Sequence, residues 1–202
     1  DYDAGEKERR TSLIVCPASL VYNWQKEIER FAPELETVTI TGSALERKDI
    51  IRHTTDGQIL ITSYDLLKRD VEYYKNIVFA VQVIDEAQYI KNAGTQAAKG
   101  VKKITAAFKL ALTGTPIENR LSELWSIFDY LMPGFLYTYQ KFREEIETPI
   151  VVNKDENKME RLQRMIRPFI LRRLKGDVLK DLPEKLEENV YAKMEGEQLA
   201  LY

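Results

Sequence analysis

Short apolar runs alternate with helically spaced apolar positions along most of the chain. Ser12-Leu13-Ile14-Val15-Cys16 is an apolar run stopped by Pro17, which predicts a buried strand. Leu20, Trp24, Ile28 and Phe31 then recur at helical spacing, with Ser19 placed as a cap. Residues 37–40 form a second strand candidate. Ser43-Ala44-Leu45-Glu46 has the capping-box pattern and opens a helix through Ile50 and Ile51. Residues 58–62 predict a third strand, followed by a helical segment carrying Leu66, Leu67 and Val71. The longest apolar run, residues 77–84, predicts the fourth strand and leads directly into Asp85. A small helix around residues 95–104 and a fifth strand over residues 108–112 complete the series. Strand and helix alternate from residue 12 to 132, which predicts a parallel sheet with crossover helices.

The pattern changes after Pro133-Gly134. Residues 139–147 and 156–171 read as helices with no strand between them, as in an insertion or stalk. Between Lys158 and Lys180 there are eight basic residues (Lys158, Arg161, Arg164, Arg167, Arg172, Arg173, Lys175 and Lys180) against two acids, Glu160 and Asp177. That cluster suits either a solvated helix face or a phosphate-rich partner. Residues 185–192 alternate like a strand, and another helix is expected to begin just before Tyr202.

Composition narrows the class. The 202 residues are 44% hydrophobic and 31% charged, enough for a full core and inconsistent with disorder. A net charge of −2 says nothing about partners, so any nucleic-acid surface must concentrate its charge locally. One cysteine, Cys16, and one histidine, His53, exclude an internal disulfide framework and argue against a His/Cys metal site. Cys16 is expected to be inert packing, His53 a surface residue, and both Trp24 and Trp125 core packing. No apolar stretch approaches the roughly 18 residues of a membrane helix, so no membrane partner is expected.

In an open parallel sheet, ligands gather at the carboxyl ends of the strands. Four polar segments fall at that edge: Pro17-Ala18-Ser19, Thr62-Ser63-Tyr64, Asp85-Glu86 and Thr113-Gly114-Thr115-Pro116. Adjacent carboxylates after a buried strand look like a Walker-B site, where the first acid holds Mg²⁺ and the second prepares a water to attack a γ-phosphate. The companion phosphate loop is missing, because no Gly-x-x-x-x-Gly-Lys-Ser/Thr occurs in the chain. Helix capping and helix-dipole compensation are the alternative reading of all four segments.

Several of these segments resemble one family. Residues 13–24, Leu13-Ile14-Val15-Cys16-Pro17-Ala18-Ser19-Leu20-Val21-Tyr22-Asn23-Trp24, are similar to motif Ia of the Snf-two (chromatin-remodeller-type) branch of superfamily-two helicase-like ATPases. Ile61-Thr62-Ser63-Tyr64-Asp65 resembles its motif Ib and Asp85-Glu86-Ala87-Gln88 its motif II. The stretch from Leu112 to Trp125, beginning Leu-Thr-Gly-Thr-Pro, resembles motif III with a branch-specific extension. Pro168-Phe169-Ile170-Leu171-Arg172-Arg173-Leu174-Lys175 and Leu182-Pro183-Glu184-Lys185 resemble the block joining the two lobes.

The resemblance implies an α/β fold: a RecA-like parallel sheet flanked by helices, with a helical protrusion. On that view residues 1–134 are a partial first lobe, 135–183 a protrusion and linker, and 184–202 the start of a second lobe. ATP and Mg²⁺ would be the cofactors, double-stranded DNA and a second RecA-like lobe of the parent chain the partners. Asp85 would hold Mg²⁺ through water and Glu86 would orient the attacking water. Asp85, Gln88, Thr113 and Thr115 would face the nucleotide, Gln88 and the Thr113–Thr115 turn coupling it to DNA. Pro17, Ala18, Ser19, Asn23, Thr62, Ser63, Arg172 and Arg173 would contact DNA, the helix starts offering N–H groups to phosphates. Gln88 departs from the family, whose motif II commonly ends in His; a hydrogen-bonding group is kept and a titratable one lost.

The expected function is that of a fragment of a DNA-dependent ATPase that translocates on duplex DNA, inactive alone, working in the cytoplasm or a eukaryotic nucleus. Its motif I would lie upstream, and the arginine fingers, worth about 10³ to 10⁵ in rate, beyond Tyr202. The alternatives are a non-catalytic lobe that binds DNA or protein, and a strand-separating helicase or restriction motor subunit.

Overall fold

The computed structural model describes residues 11–114 and 120–173. Five strands, β1 (Ser12–Cys16), β2 (Thr37–Thr39), β3 (Ile59–Ser63), β4 (Val78–Ile84) and β5 (Thr105–Ala111), form one sheet in the order β2-β3-β1-β4-β5. Every pairing is parallel, with Ile14 opposite Ile61 on one side of β1 and Val83 on the other. From β1 the chain runs to the edge strand β2, returns to β3 beside β1, and then crosses to β4 and β5. Beside β1 the strand order therefore reverses, and the carboxyl ends of β1 and β4 flank that switch point.

Helices cover both faces. On one side, Ile14, Cys16 and Ile61 form a cluster with Val21 of α1 (Val21–Phe31), against which Leu20, just before that helix, and Trp24 and Ile28 within it pack. On the other, Leu13, Val15, Leu60 and Ile84 lie in a larger core with Ile51 of α2 (Ala44–Arg52) and Leu67 of α3 (Tyr64–Asp70). Val101 of α4 (Gln96–Lys103) and Ile127 and Tyr130 of α5 (Leu121–Leu131) close it. Gln82 is a polar residue in the middle of β4, fully buried. Its amide donates to the Val101 carbonyl at 3.1 Å, while the Tyr130 hydroxyl donates to its own carbonyl at 3.2 Å, so α4 and α5 are tied to the strand by hydrogen bonds as well as packing. Arg47 and Asp70, also buried, join α2 to α3 through two charge-assisted bonds of 2.5 and 2.9 Å.

Local chemistry sets the helix starts. Ser43 and Glu46 make the reciprocal capping box expected of them, at 2.7 and 3.3 Å. The Ser43 amide holds the Glu46 carboxyl below its ordinary range, so this contribution is present above that range and fades as pH falls through the lowered value. Ser63 caps α3 and Thr95 caps α4. Ser19 does not cap α1: a 3-10 turn, Ala18–Leu20, leads into the helix, and Leu20 occupies the cap position with no side-chain bond. Phe31 also departs from the expected apolar face. It sits in the last turn of α1, 72% exposed, with the Arg30 guanidinium 5.1 Å from its ring centre.

After α5 come α6 (Tyr139–Phe142) and α7 (Thr148–Val151), joined without a break by a π-helical turn, Arg143–Glu147. Pro149 explains the wide turn, since it lacks the N–H that would donate to Glu145 and its ring crowds that carbonyl. Phe142, Ile146 and Ile150 are buried along this segment. The described residues divide into two compact units after Met159, the division falling within α8 (Glu156–Ile166). The strand expected at residues 185–192 lies outside the described residues.

The Thr95 hydroxyl accepts from the Ala98 amide at 3.2 Å, so replacing it with Ala should cost about 1 kcal/mol in urea unfolding. Thr95→Gly should cost only a few tenths. Equal losses for the two variants would show that the cap is not what holds this helix start.

Candidate nucleotide and DNA site

The site begins with how Asp85 is held. Its backbone N–H donates to the Val15 carbonyl at 2.8 Å, carrying the β1–β4 ladder one residue past the strand. Leu112, just beyond β5, donates to the Ile84 carbonyl and accepts from the Ala87 amide, both at 2.8 Å. The acidic pair is thus pinned between β1 and the chain leaving β5. Both carboxylates remain half-buried at the sheet edge.

Each oxygen of the Asp85 carboxylate accepts one hydrogen bond. Oδ1 takes the Glu86 backbone N–H at 2.8 Å, and Oδ2 takes the indole Nε1–H of Trp24 at 2.9 Å. The Tyr64 hydroxyl donates to the Asp85 carbonyl at 2.7 Å, and its ring stacks on Tyr89 at 4.9 Å with the planes 2° apart. Burial and the Asp85 charge raise the Tyr64 phenol, so it stays a donor at any ordinary pH. The same two causes push the Cys16 thiol up to about 12, and its Sγ lies 3.8 Å from the Thr62 carbonyl. Cys16 is therefore a neutral, buried packing group.

Glu86 turns the chain. Its φ and ψ of 52° and 57° are left-handed, a conformation that costs an L-residue with a Cβ roughly 1–2 kcal/mol. The Gln88 amide donates to Glu86 Oε2 at 2.6 Å, and the Thr113 hydroxyl donates to Gln88 Oε1 at 3.0 Å. Gln88 therefore donates to one partner while accepting from the other, as a neutral imidazole would. The departure from His leaves the connection from Glu86 to Thr113 intact.

Of the residues singled out in the sequence, Asp85, Glu86, Gln88 and Thr113 come together here. Thr115 lies outside the described residues. Pro17, Ala18, Ser19 and Asn23 gather at the start of α1, where Ala18, Ser19 and Asn23 are exposed and Pro17 is half-buried. Thr62 and Ser63 differ from expectation. Thr62 is fully buried and Ser63 3% exposed, its Oγ accepting from the Leu66 amide at 3.3 Å, so neither hydroxyl faces a ligand outside the fold. Alternation explains this, because both are the last residues of β3, a strand covered on both sides. Arg172 and Arg173 are exposed in the second unit. His53 is exposed beside Asp49, as expected of a surface residue. Trp125 is buried, while Trp24 is only half-buried and spends its N–H on Asp85. Its helical spacing showed that Trp24 packs on the sheet; only the unmet need of the indole N–H for a partner hinted at the rest.

Among the described residues no group of three or more His, Cys, Asp or Glu is placed to hold a metal. A dedicated cage is therefore not what this edge offers. One accessible carboxylate with a second beside it fits Mg²⁺, which keeps its waters and takes the rest of its shell from substrate phosphates. Nor is any helix among the described residues long and apolar enough to cross a membrane.

A family model described as the SNF2-related domain matches residues 2–202. The chain belongs to the SNF2-related family. It is 39% identical over 208 residues to the TATA-binding protein-associated factor MOT1 of Saccharomyces cerevisiae, covering 98% of this chain and 11% of that protein. It is 42% identical over 191 residues to an ATP-dependent helicase, MG018, of Mycoplasma genitalium, covering 95% of this chain and 18% of that protein. The chain thus spans less than a fifth of the length of these two relatives. Among solved structures, the SWI2/SNF2 ATPase core of Sulfolobus solfataricus in complex with double-stranded DNA matches with a TM-score of 0.76 and 40% identity, over 96% of this chain and 41% of that one. The sheet of this SNF2-related domain is accordingly the RecA-like sheet of that ATPase core, and the expected fold class holds.

The left-handed backbone at Glu86 yields a stability prediction. Both Glu86→Gly and Glu86→Ala remove the Gln88 contact, but only glycine occupies this conformation without strain. The Gly variant should be the more stable by about 1 kcal/mol, the reverse of the usual order. An Ala variant as stable as the Gly variant would mean that the backbone relaxes out of this conformation.

Proposed function

We propose that this chain is the Mg²⁺- and DNA-facing part of the first lobe of an ATPase that translocates on duplex DNA. The observation that carries the reading is the Asp85-Glu86 pair, fixed at the switch point of a parallel sheet and joined through Gln88 to the motif that leaves β5. In this reading Asp85 would hold the hydrated metal through its half-buried carboxylate. Mg²⁺ bound with ATP would neutralise charge on the transferred phosphate and its leaving group. Glu86 accepts a hydrogen bond from the attacking water and orients it. The Gln88 amide holds the Glu86 carboxylate, and Thr113 reports through Gln88 on the chain after β5.

Duplex DNA lies across the start of α1. Ala18, Ser19 and Asn23 offer an exposed surface there. Backbone N–H groups and short polar side chains suit phosphates and read no bases, which a translocating motor requires. Arg172 and Arg173 add positive charge near the junction with a second RecA-like lobe of the parent chain. We place the parent protein in the cytoplasm, or in the nucleus of a eukaryote.

The deciding experiment measures ATP turnover and strand displacement with the full-length protein. Turnover stimulated by duplex DNA without separation of the strands supports translocation. Strand separation would assign the chain to an unwinding helicase, and duplex binding without turnover to a non-catalytic lobe.

The 202 residues contain no phosphate-loop sequence. By themselves they should therefore show no ATP turnover, with or without DNA. Turnover abolished by Glu86→Gln would contradict this.

Each phosphate contact contributes about −0.9 to the slope of log affinity against log salt. Arg172→Ala with Arg173→Ala should lower the magnitude of that slope by about 2 for the full-length protein. An unchanged slope would remove both from the DNA surface.

A further inference from the structure

Trp24 is the residue at this edge whose chemistry exceeds the role its spacing gives it. Its ring belongs to α1, and α1 is seated on the sheet by Val21, Trp24 and Ile28, with Leu20 just before them, against Ile14, Cys16 and Ile61. An indole nitrogen donates and cannot accept, so it makes a directed contact only with an acceptor. Here that acceptor is Oδ2 of Asp85, at 2.9 Å, across 61 residues of sequence. A bond to an ionised carboxylate is charge-assisted and stronger than its neutral counterpart.

Two donors on two different oxygens restrict how the carboxylate can turn. The Glu86 amide on Oδ1 is part of the same turn and moves with it. Trp24 comes from another element and is fixed by packing, so it supplies the reference that the local backbone lacks. Tyr64 plays the matching part for the main chain by donating to the Asp85 carbonyl. We infer that Trp24 is a positioning residue for Asp85: its indole N–H sets the orientation in which that carboxylate meets a hydrated Mg²⁺. This rests on the reading of Asp85 as the carboxylate that faces the metal. In this role Trp24 acts through Asp85, as outer-shell partners do elsewhere.

The test is a Mg²⁺ titration of the binding of a fluorescent ADP analogue to the full-length protein. Trp24→Phe keeps an aromatic ring in the packing and removes the N–H. It should raise the Mg²⁺ concentration at half-saturation about 10-fold, within the range for loss of such a partner. Ile28→Ala, one turn further along α1, serves as the packing control. It should lower the thermal midpoint and leave the Mg²⁺ midpoint where it is. An unchanged Mg²⁺ midpoint in Trp24→Phe overturns the inference while leaving the ATPase reading intact, and so does an equal shift in Ile28→Ala. A wild-type protein whose nucleotide binding ignores Mg²⁺ overturns the ATPase reading and this inference with it.

Discussion

Three backbone hydrogen bonds fix the functional edge of this domain. Asp85 donates to Val15, Leu112 donates to Ile84, and Ala87 donates to Leu112. Together they continue the parallel ladder past the ends of the strands, so the turn after β4 has little freedom to drift. Glu86 can then be held left-handed, at a cost of roughly 1–2 kcal/mol, because the residues on both sides are already anchored. The strain is local, and the anchors are continuations of the sheet's own ladder. Asp85 is in turn gripped by side chains from α1 and α3, the helices that leave β1 and β3. Asp85 thus joins elements that the sequence lists far apart.

Much of this was legible in the sequence because each signal was local. The strands announced themselves as short apolar runs with breakers, and the crossover helices by spacing. The capping box at Ser43 and Glu46 needed only four residues. The clustering of Pro17, Asp85 and Thr113 at one edge followed from parallel topology alone. What escaped depends on three dimensions. No spacing rule shows that a 3-10 turn, not Ser19, leads into α1, nor that Phe31 outruns the surface its helix covers. The burial of Thr62 and Ser63 depends on how fully β3 is enclosed. A tryptophan on an apolar helix face gives no sign of which acceptor its N–H will find.

Gln88 bears on how far the family resemblance carries. A histidine at this position could hold Glu86 and Thr113 together in its neutral form, but would lose its acceptor on protonation. Glutamine makes both bonds and does not titrate. The connection between the acidic pair and the chain after β5 is therefore independent of pH through this residue. The SNF2-related family supplies a consistent frame for such a link, since the chain matches an ATPase core solved with duplex DNA. The chain covers 41% of that core.

The proposed role of Glu86 is to prepare the attacking water. Its most direct test is DNA-stimulated ATP turnover by the full-length protein carrying Glu86→Gln, with duplex affinity measured on the same preparation. The amide keeps the side chain's shape and removes its basicity, so turnover should fall by about 10²-fold or more while DNA affinity stays unchanged. Turnover at the wild-type rate would contradict the account.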